Sequence, residues 1–216
     1  MRLKVAKKPL SQALRWTQRA LFAVAISMLG YCGFVLLDGW IVQKRANHQL
    51  ELRLNEERTA RNVAPRTGSA ALPEAPAAIG PDGLIGRIEI LRIGLSVVVF
   101  EGTTKSTLRH AAGHISGTAL PGQPSNVGIA GHRDTFFRPL RNVHQDDIIT
   151  LTTLLGEYRY RVVSTRIVGP YDVAVLNPDG NETLTLITCY PFYFVGPAPE
   201  RFVVRAERIE MPRASI

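Results

Sequence analysis

Apolar and polar positions follow different rhythms along this chain, and the changes of rhythm divide it. Residues 20–37 (ALFAVAISMLGYCGFVLL) run without a charge. A helix of that length covers about 27 Å, close to the ~30 Å hydrocarbon layer of a bilayer. Gly39-Trp40-Ile41-Val42 can lengthen the span to residues 20–42, with Trp40 at the interface. Residues 43–62 are polar, rich in helix formers and free of Gly and Pro. They predict a continued helix or a short coiled coil, although Leu50, Leu52 and Leu54 make no clean heptad. Pro65, Pro73, Pro76 and Pro81 follow among Ala, Gly and Ser. This composition makes 63–82 an extended linker, at ~3.1 Å per residue, that holds a domain away from the bilayer.

From Gly83 the rhythm becomes that of strands. Residues 84–91 and 95–100, broken by Arg92-Ile93-Gly94, predict a hairpin. A short helix over 104–112 and a Gly/Pro-rich loop over 114–125 come next. Further strands are predicted at 126–130, 148–152, 158–168, 184–188 and 202–209. Many short strands at close spacing, with little helix, make residues 83–210 mainly β, as a closed or nearly closed barrel.

Charge adds direction to this picture. The net charge is +8, and six Lys/Arg without any acid lie in residues 1–19. Positive charge before an apolar span places that end in the cytoplasm. Residues 1–19 then read as a basic cytoplasmic tail and 20–42 as a single-pass signal anchor in the cell membrane, with the barrel outside the cytoplasm. Cleavage as a signal peptide is disfavoured, because bulky Phe34, Val35, Leu36, Leu37 and Trp40 fill the region where small residues are needed. The 83–210 segment is almost neutral, which gives no support for nucleic-acid binding. Two cysteines, Cys32 in the apolar span and Cys189 far from it, make no disulfide framework.

Cys189 ends the apolar, β-branched run Leu184–Thr188, and Pro191 follows where a ladder must stop. A thiol at a strand end is a nucleophile candidate, and equally a core cysteine, since free Cys is often buried. A nucleophilic thiol needs a base or a positive neighbour. Among His48, His110, His114, His132 and His144, only His132 has a matching place, after a short apolar strand and a glycine. Arg201 opens the last strand. If that strand is an antiparallel neighbour of the Cys189 strand, Arg201 lies beside the thiol, whereas Arg205 is about 13 Å further along. Such a cation can stabilise a developing oxyanion. Asp134 beside His132 suits a local structural role better than a metal set, because one His and one Asp do not hold zinc. His114 is a candidate groove residue or a loop histidine with a structural hydrogen bond. Thr188 and Tyr190 flank the thiol as candidate substrate contacts, and Tyr190, Phe192, Tyr193 and Phe194 can equally be packing. No cofactor motif stands out.

Taken in order, AGHRDTFF (130–137), TLITC (185–189) and the arginine of APERFVV (198–204) resemble the sortases. GHISGTALPG (113–122) and TCYPFYFVGPAPERFVV (188–204) resemble those of class D. The resemblance covers residues 83–210. It implies an eight-stranded β-barrel and a cysteine transpeptidase with Cys189 as nucleophile, His132 as acid/base and Arg201 as oxyanion or substrate-backbone stabiliser. It further implies protein substrates with a C-terminal LPxTG-like sorting signal, cut after Thr, and an amine acceptor such as a cell-wall precursor or a pilin lysine. A plain thiol hydrolase with the same site, and a silent peptide-binding barrel, are the competing readings.

Overall fold

The computed structural model describes residues 8–63, 79–80, 82–178, 180–193 and 196–209. Most of the expected linker, residues 64–78 with Pro65, Pro73 and Pro76, and Pro81 beyond it, lies outside the described residues, as does Phe194. The chain divides into two compact units, Met1–Ile41 and Val42–Ile216. Helix α1 (Lys8–Val63) supplies all of the described first unit. Its Leu21, Phe22, Val24, Ile26, Leu29 and Phe34 side chains are exposed, as in a helix whose apolar surface has no protein partner. It is long and apolar enough to cross a membrane.

The second unit is a closed barrel of eight strands in the order β1-β2-β3-β4-β7-β8-β6-β5. In sequence these are β1 (Leu84–Ile90), β2 (Leu95–Glu101), β3 (Ala112–His114), β4 (Asn126–Ala130), β5 (Ile148–Thr153), β6 (Glu157–Val168), β7 (Thr183–Tyr190) and β8 (Glu200–Arg208), with α2 (Lys105–His110) between β2 and β3. Six of the eight neighbouring pairs are antiparallel, and β2–β3 and β4–β7 are parallel. Alternate side chains fill the interior: Val97 and Val99 of β2, Val127 and Ile129 of β4, Leu184 and Leu186 of β7, Val204 and Ala206 of β8. Thr104 caps α2 by accepting from Thr107 N at 3.1 Å.

Residues 43–62 continue the helix as expected, and a second, smaller core gives that part a partner. Ala46 and Leu50 of α1, with Leu54 partly buried, pack against Leu84, Val98, Ala111 and Leu154 on the outside of the barrel. The stripe is spaced i, i+4, i+8, so one helix face is apolar and Leu52 points away. Gln43 accepts from Val98 N at 3.2 Å and donates to His110 O at 2.6 Å, and Glu51 meets Arg87 at 3.1 Å. The segment is a docked part of the barrel unit. Its signal lies in β2, where Val97, Val98 and Val99 are all buried. An antiparallel strand reads as an unbroken apolar run when both its faces are covered.

Candidate active site

β7 and β8 are antiparallel neighbours, and Cys189 lies directly opposite Arg201 in their register. Opposed Cα atoms in such a ladder are about 4.5–5.5 Å apart. Arg205 lies opposite Thr185, further down the same ladder. Leu184 and Leu186 face the core, so the odd positions Thr185, Ile187 and Cys189 share the outer face, together with Arg201 and Val203 of β8. Cys189 is a free, half-buried thiol.

β4 lies on the other side of β7 and runs parallel to it, with Ala130 level with Ile187. Gly131 N extends the pairing by donating to Ile187 O at 3.1 Å. Carrying that register two residues past the last pair brings the backbone of His132 level with Cys189. Ile129 points inward, so Gly128 and Ala130 belong to the outer face, and β4 ends two residues before His132. His132 itself is exposed. Gly131 permits the turn out of β4, because a Cβ there would come within 2.7 Å of the Phe137 ring. Phe137 is fully buried beneath it.

Thr188 is buried, and its Oγ1 donates to Gly131 O at 2.7 Å. The hydroxyl ties the Cys189 strand to the His132 turn. For His114 the structure shows the hydrogen bonds of the second of its two readings, the structural one. It is 2% exposed, with Nδ1 2.6 Å from Glu101 Oε2 and Nε2 2.9 Å from Ala119 O. Both ring nitrogens face oxygen atoms, so the ring braces the corner between β2, β3 and β4. Tyr190 packs in an aromatic cluster, 6.4 Å from Phe202 and 6.0 Å from Phe192 between ring centroids. Asp134 is exposed in the turn after His132. Among the described residues no cluster of His, Cys, Asp and Glu could hold a metal ion.

The Arg201 guanidinium is held at the mouth of the β7–β8 loop, its Nη1 donating to Ala198 O at 3.2 Å and Glu200 O at 2.9 Å. The outer face beside it is not flat. The connection from β6 to β7 crosses over β8 and β7, held by Asn126, whose Nδ2 donates to Val175 O at 3.1 Å while its Oδ1 accepts from Thr185 Oγ1 at 2.8 Å. Between that connection and the strands lies a cleft of about 160 Å³, lined by Ser164, Arg166, Val175, Thr185, Val203 and Arg205. No motif in the sequence points to this cleft. Its lining comes from separate stretches of chain that no spacing rule connects.

The sortase-domain family model matches residues 88–209, more than half of the chain. The chain belongs to the sortase family. A sortase D of Bacillus subtilis strain 168 is 29% identical over 192 residues, covering 88% of this chain and 96% of that protein. The structure of a sortase D5 transpeptidase from Clostridium perfringens superposes with a TM-score of 0.59 at 27% identity, over 78% of this chain and 99% of the other. Sortase A from Corynebacterium diphtheriae superposes with a TM-score of 0.57 at 27% identity, over 79% of this chain and 86% of the other. This sortase is thus an enzyme of the cysteine transpeptidase family with the family's closed barrel, and its N-terminal apolar helix fits a single-pass membrane anchor.

Proposed function

We propose that this sortase cleaves an LPxTG-like sorting signal after its threonine and transfers the acyl group to an amine, with Cys189, His132 and Arg201 as its catalytic residues. The observation that carries the reading is the pairing of Cys189 with Arg201 across β7 and β8, with His132 two residues past the end of the neighbouring strand β4. Cys189 Sγ gives its proton to His132 and attacks the threonine carbonyl. The oxyanion that forms is stabilised by the Arg201 guanidinium, a role in which one lost donor typically costs ~10²–10³ in rate. The intermediate collapses as the C–N bond breaks, and His132 protonates the departing amine. This leaves a thioester on Cys189. An incoming amine then loses a proton to His132 and attacks the thioester, and the thiolate leaves and is reprotonated. The cleft over Thr185, Val203 and Arg205, further down the β7–β8 ladder from Arg201, suits the part of the signal that precedes the scissile bond.

The chain works outside the cytoplasm, held by residues 20–42 with its N-terminus inside. The basic residues before the apolar span support that orientation. Its acceptor is an amine on a cell-wall precursor or a pilin lysine. The test is to incubate the full chain, in detergent micelles, with an LPxTG peptide with and without an added amine, and to read products by mass spectrometry. An amine-joined product supports transpeptidation. Acid product alone, with amine present, makes the enzyme a hydrolase that uses the same site with water. Full turnover by Cys189→Ala would overturn the site.

A further inference from the structure

The turn that presents His132 and the loop that joins Cys189 to Arg201 are laced together by two guanidinium groups. Arg133, the residue after His132, donates from Nη1 to Pro191 O and from Nη2 to Gly196 O, each at 3.0 Å. Those carbonyls belong to the first residue and to the middle of the β7–β8 loop. Arg141, further along the same connection from β4 to β5, donates from Nη1 to Tyr193 Oη at 2.8 Å, with its guanidinium carbon 5.5 Å from that ring's centroid. Tyr193 is an exposed residue of the loop, 77% accessible, so its place is set by Arg141 more than by burial. Phe192 packs inward against Phe202, with ring centroids 5.3 Å apart. The loop is therefore held at Pro191, Phe192, Tyr193 and Gly196, and all of these holds except that of Phe192 lead to the His132 connection.

We propose that Arg133 is a positioning residue of this sortase. Together with the Arg141–Tyr193 contact, it locks the His132 turn to the β7–β8 loop, so that acid/base, nucleophile and cation keep one spacing through both acyl-transfer steps. The inference rests on the Cys189–His132–Arg201 reading above. The physical reason is the shape of the guanidinium. A planar fork can donate to two carbonyls five residues apart in a loop at once, whereas a lysine ammonium is a point donor on a flexible stem. Without Arg133 the loop keeps its covalent ends on β7 and β8 but loses its two bonds to the residue next to His132, leaving the exposed Arg141–Tyr193 contact. Misplacing a catalytic group by about 1 Å can cost ~10²-fold in rate. The three groups otherwise come from three separate strand ends, and of these only β7 and β8 are joined by the loop.

The experiment measures kcat and KM of the full chain in detergent micelles, in the peptide–amine assay, for Arg133→Gln, Arg133→Lys and Tyr193→Phe. Each is normalised to the fraction of Cys189 that a thiol reagent can titrate, read on its own peptide by mass spectrometry to separate it from Cys32. For Arg133→Gln we expect kcat to fall at least tenfold with KM within about threefold, for Arg133→Lys a smaller loss, and for Tyr193→Phe a loss of about threefold. If kcat per titratable Cys189 stays within twofold of the parent in Arg133→Gln, the proposal is overturned, whatever happens to the melting temperature. If Arg133→Gln does not fold, unchanged kcat in both Arg133→Lys and Tyr193→Phe overturns it. Cys189→Ala runs in parallel: loss of all turnover there with no effect at Arg133 rejects this inference and leaves the catalytic assignment standing.

Discussion

Thr188 and Gly131 are joined by a 2.7 Å hydrogen bond, and the next residue on each strand is Cys189 and His132. The bond is buried, and it ties β7 to the turn that leaves the parallel strand β4, one residue before Cys189 and His132. Thr188→Val keeps the shape but leaves the Gly131 carbonyl without that donor. An unsatisfied buried acceptor costs about 1–3 kcal/mol. Thermal unfolding should show a Tm lower by several degrees, since about 1 kcal/mol shifts a domain of this size by ~2–4 °C. Thr188→Ser should recover most of it. Equal Tm values for Thr188→Val and the parent would show that the bond contributes nothing.

Gly131→Ala tests the same junction from the side of packing. The added Cβ would lie 2.7 Å from the Phe137 ring, which is fully buried and cannot swing away. Overpacking of this kind costs about 1–3 kcal/mol, and here the displaced backbone carries His132. The expected outcome is a lower Tm with a larger loss of kcat than Thr188→Val. The double variant Gly131→Ala/Phe137→Leu should regain part of the Tm. A Gly131→Ala protein with parental Tm and kcat would contradict the packing argument.

Away from the site, Asp147 anchors the turn into β5. Its carboxylate is bound by both Nε and Nη2 of Arg92 and accepts from His144 N at 2.8 Å. The hydrogen bond from Arg92 is the main cause that lowers the Asp147 pKa, opposed by burial. A depressed carboxylate gives stability that is fully present above the ordinary Asp range, near pH 4, and is lost as pH falls through its lowered folded value. Urea unfolding from pH 6 down to pH 2 should thus show the parent losing its advantage over Asp147→Asn in acid, with the two curves converging. A difference that stays constant with pH would remove this pair from the acid limb.

The docked face of α1 makes a prediction about domain limits. Leu50 is fully buried against Leu84, Val98, Ala111 and Leu154. Leu50→Ala should destabilise the barrel unit by about 2–5 kcal/mol, the range for buried leucines cut to alanine. A chain beginning at residue 42 should melt higher, and bind less of an apolar dye, than one beginning at residue 64. Identical melting of the two would mean that the helix contributes nothing to the barrel's stability.

Much of this molecule is legible in its sequence. The strand at 126–130 coincides with β4, and the expected hairpin appears as β1 and β2 around Gly94, whose φ of 65° suits glycine. Pro191 ends β7 at Tyr190, as a residue without an N–H must. Periodicity reveals every strand of the barrel except β3. That strand has three residues within a Gly-rich stretch and exists because its neighbours pair with it. Alternation over so short a stretch carries no signal, so the strand count comes from the family likeness.

The candidate site divides in the same way. Residue type, strand ends and order along the chain single out Cys189, His132 and Arg201, because nucleophile, base and cation are set by side-chain chemistry. The roles of Thr188 and His114 cannot be read that way, since each is decided by what it meets. Gly131 O lies 57 residues from Thr188, and Glu101 lies across the β2–β3 pairing from His114. Arg133 is one more surface charge in the sequence, and only the fold sets the carbonyls of Pro191 and Gly196 before it. Sequence by itself determined the elements, the anchor-like span and the chemistry available, because propensity, periodicity and functional groups are local properties. Tertiary structure alone decided which groups meet, since strand order, register and helix docking come from burying surfaces that lie far apart along the chain.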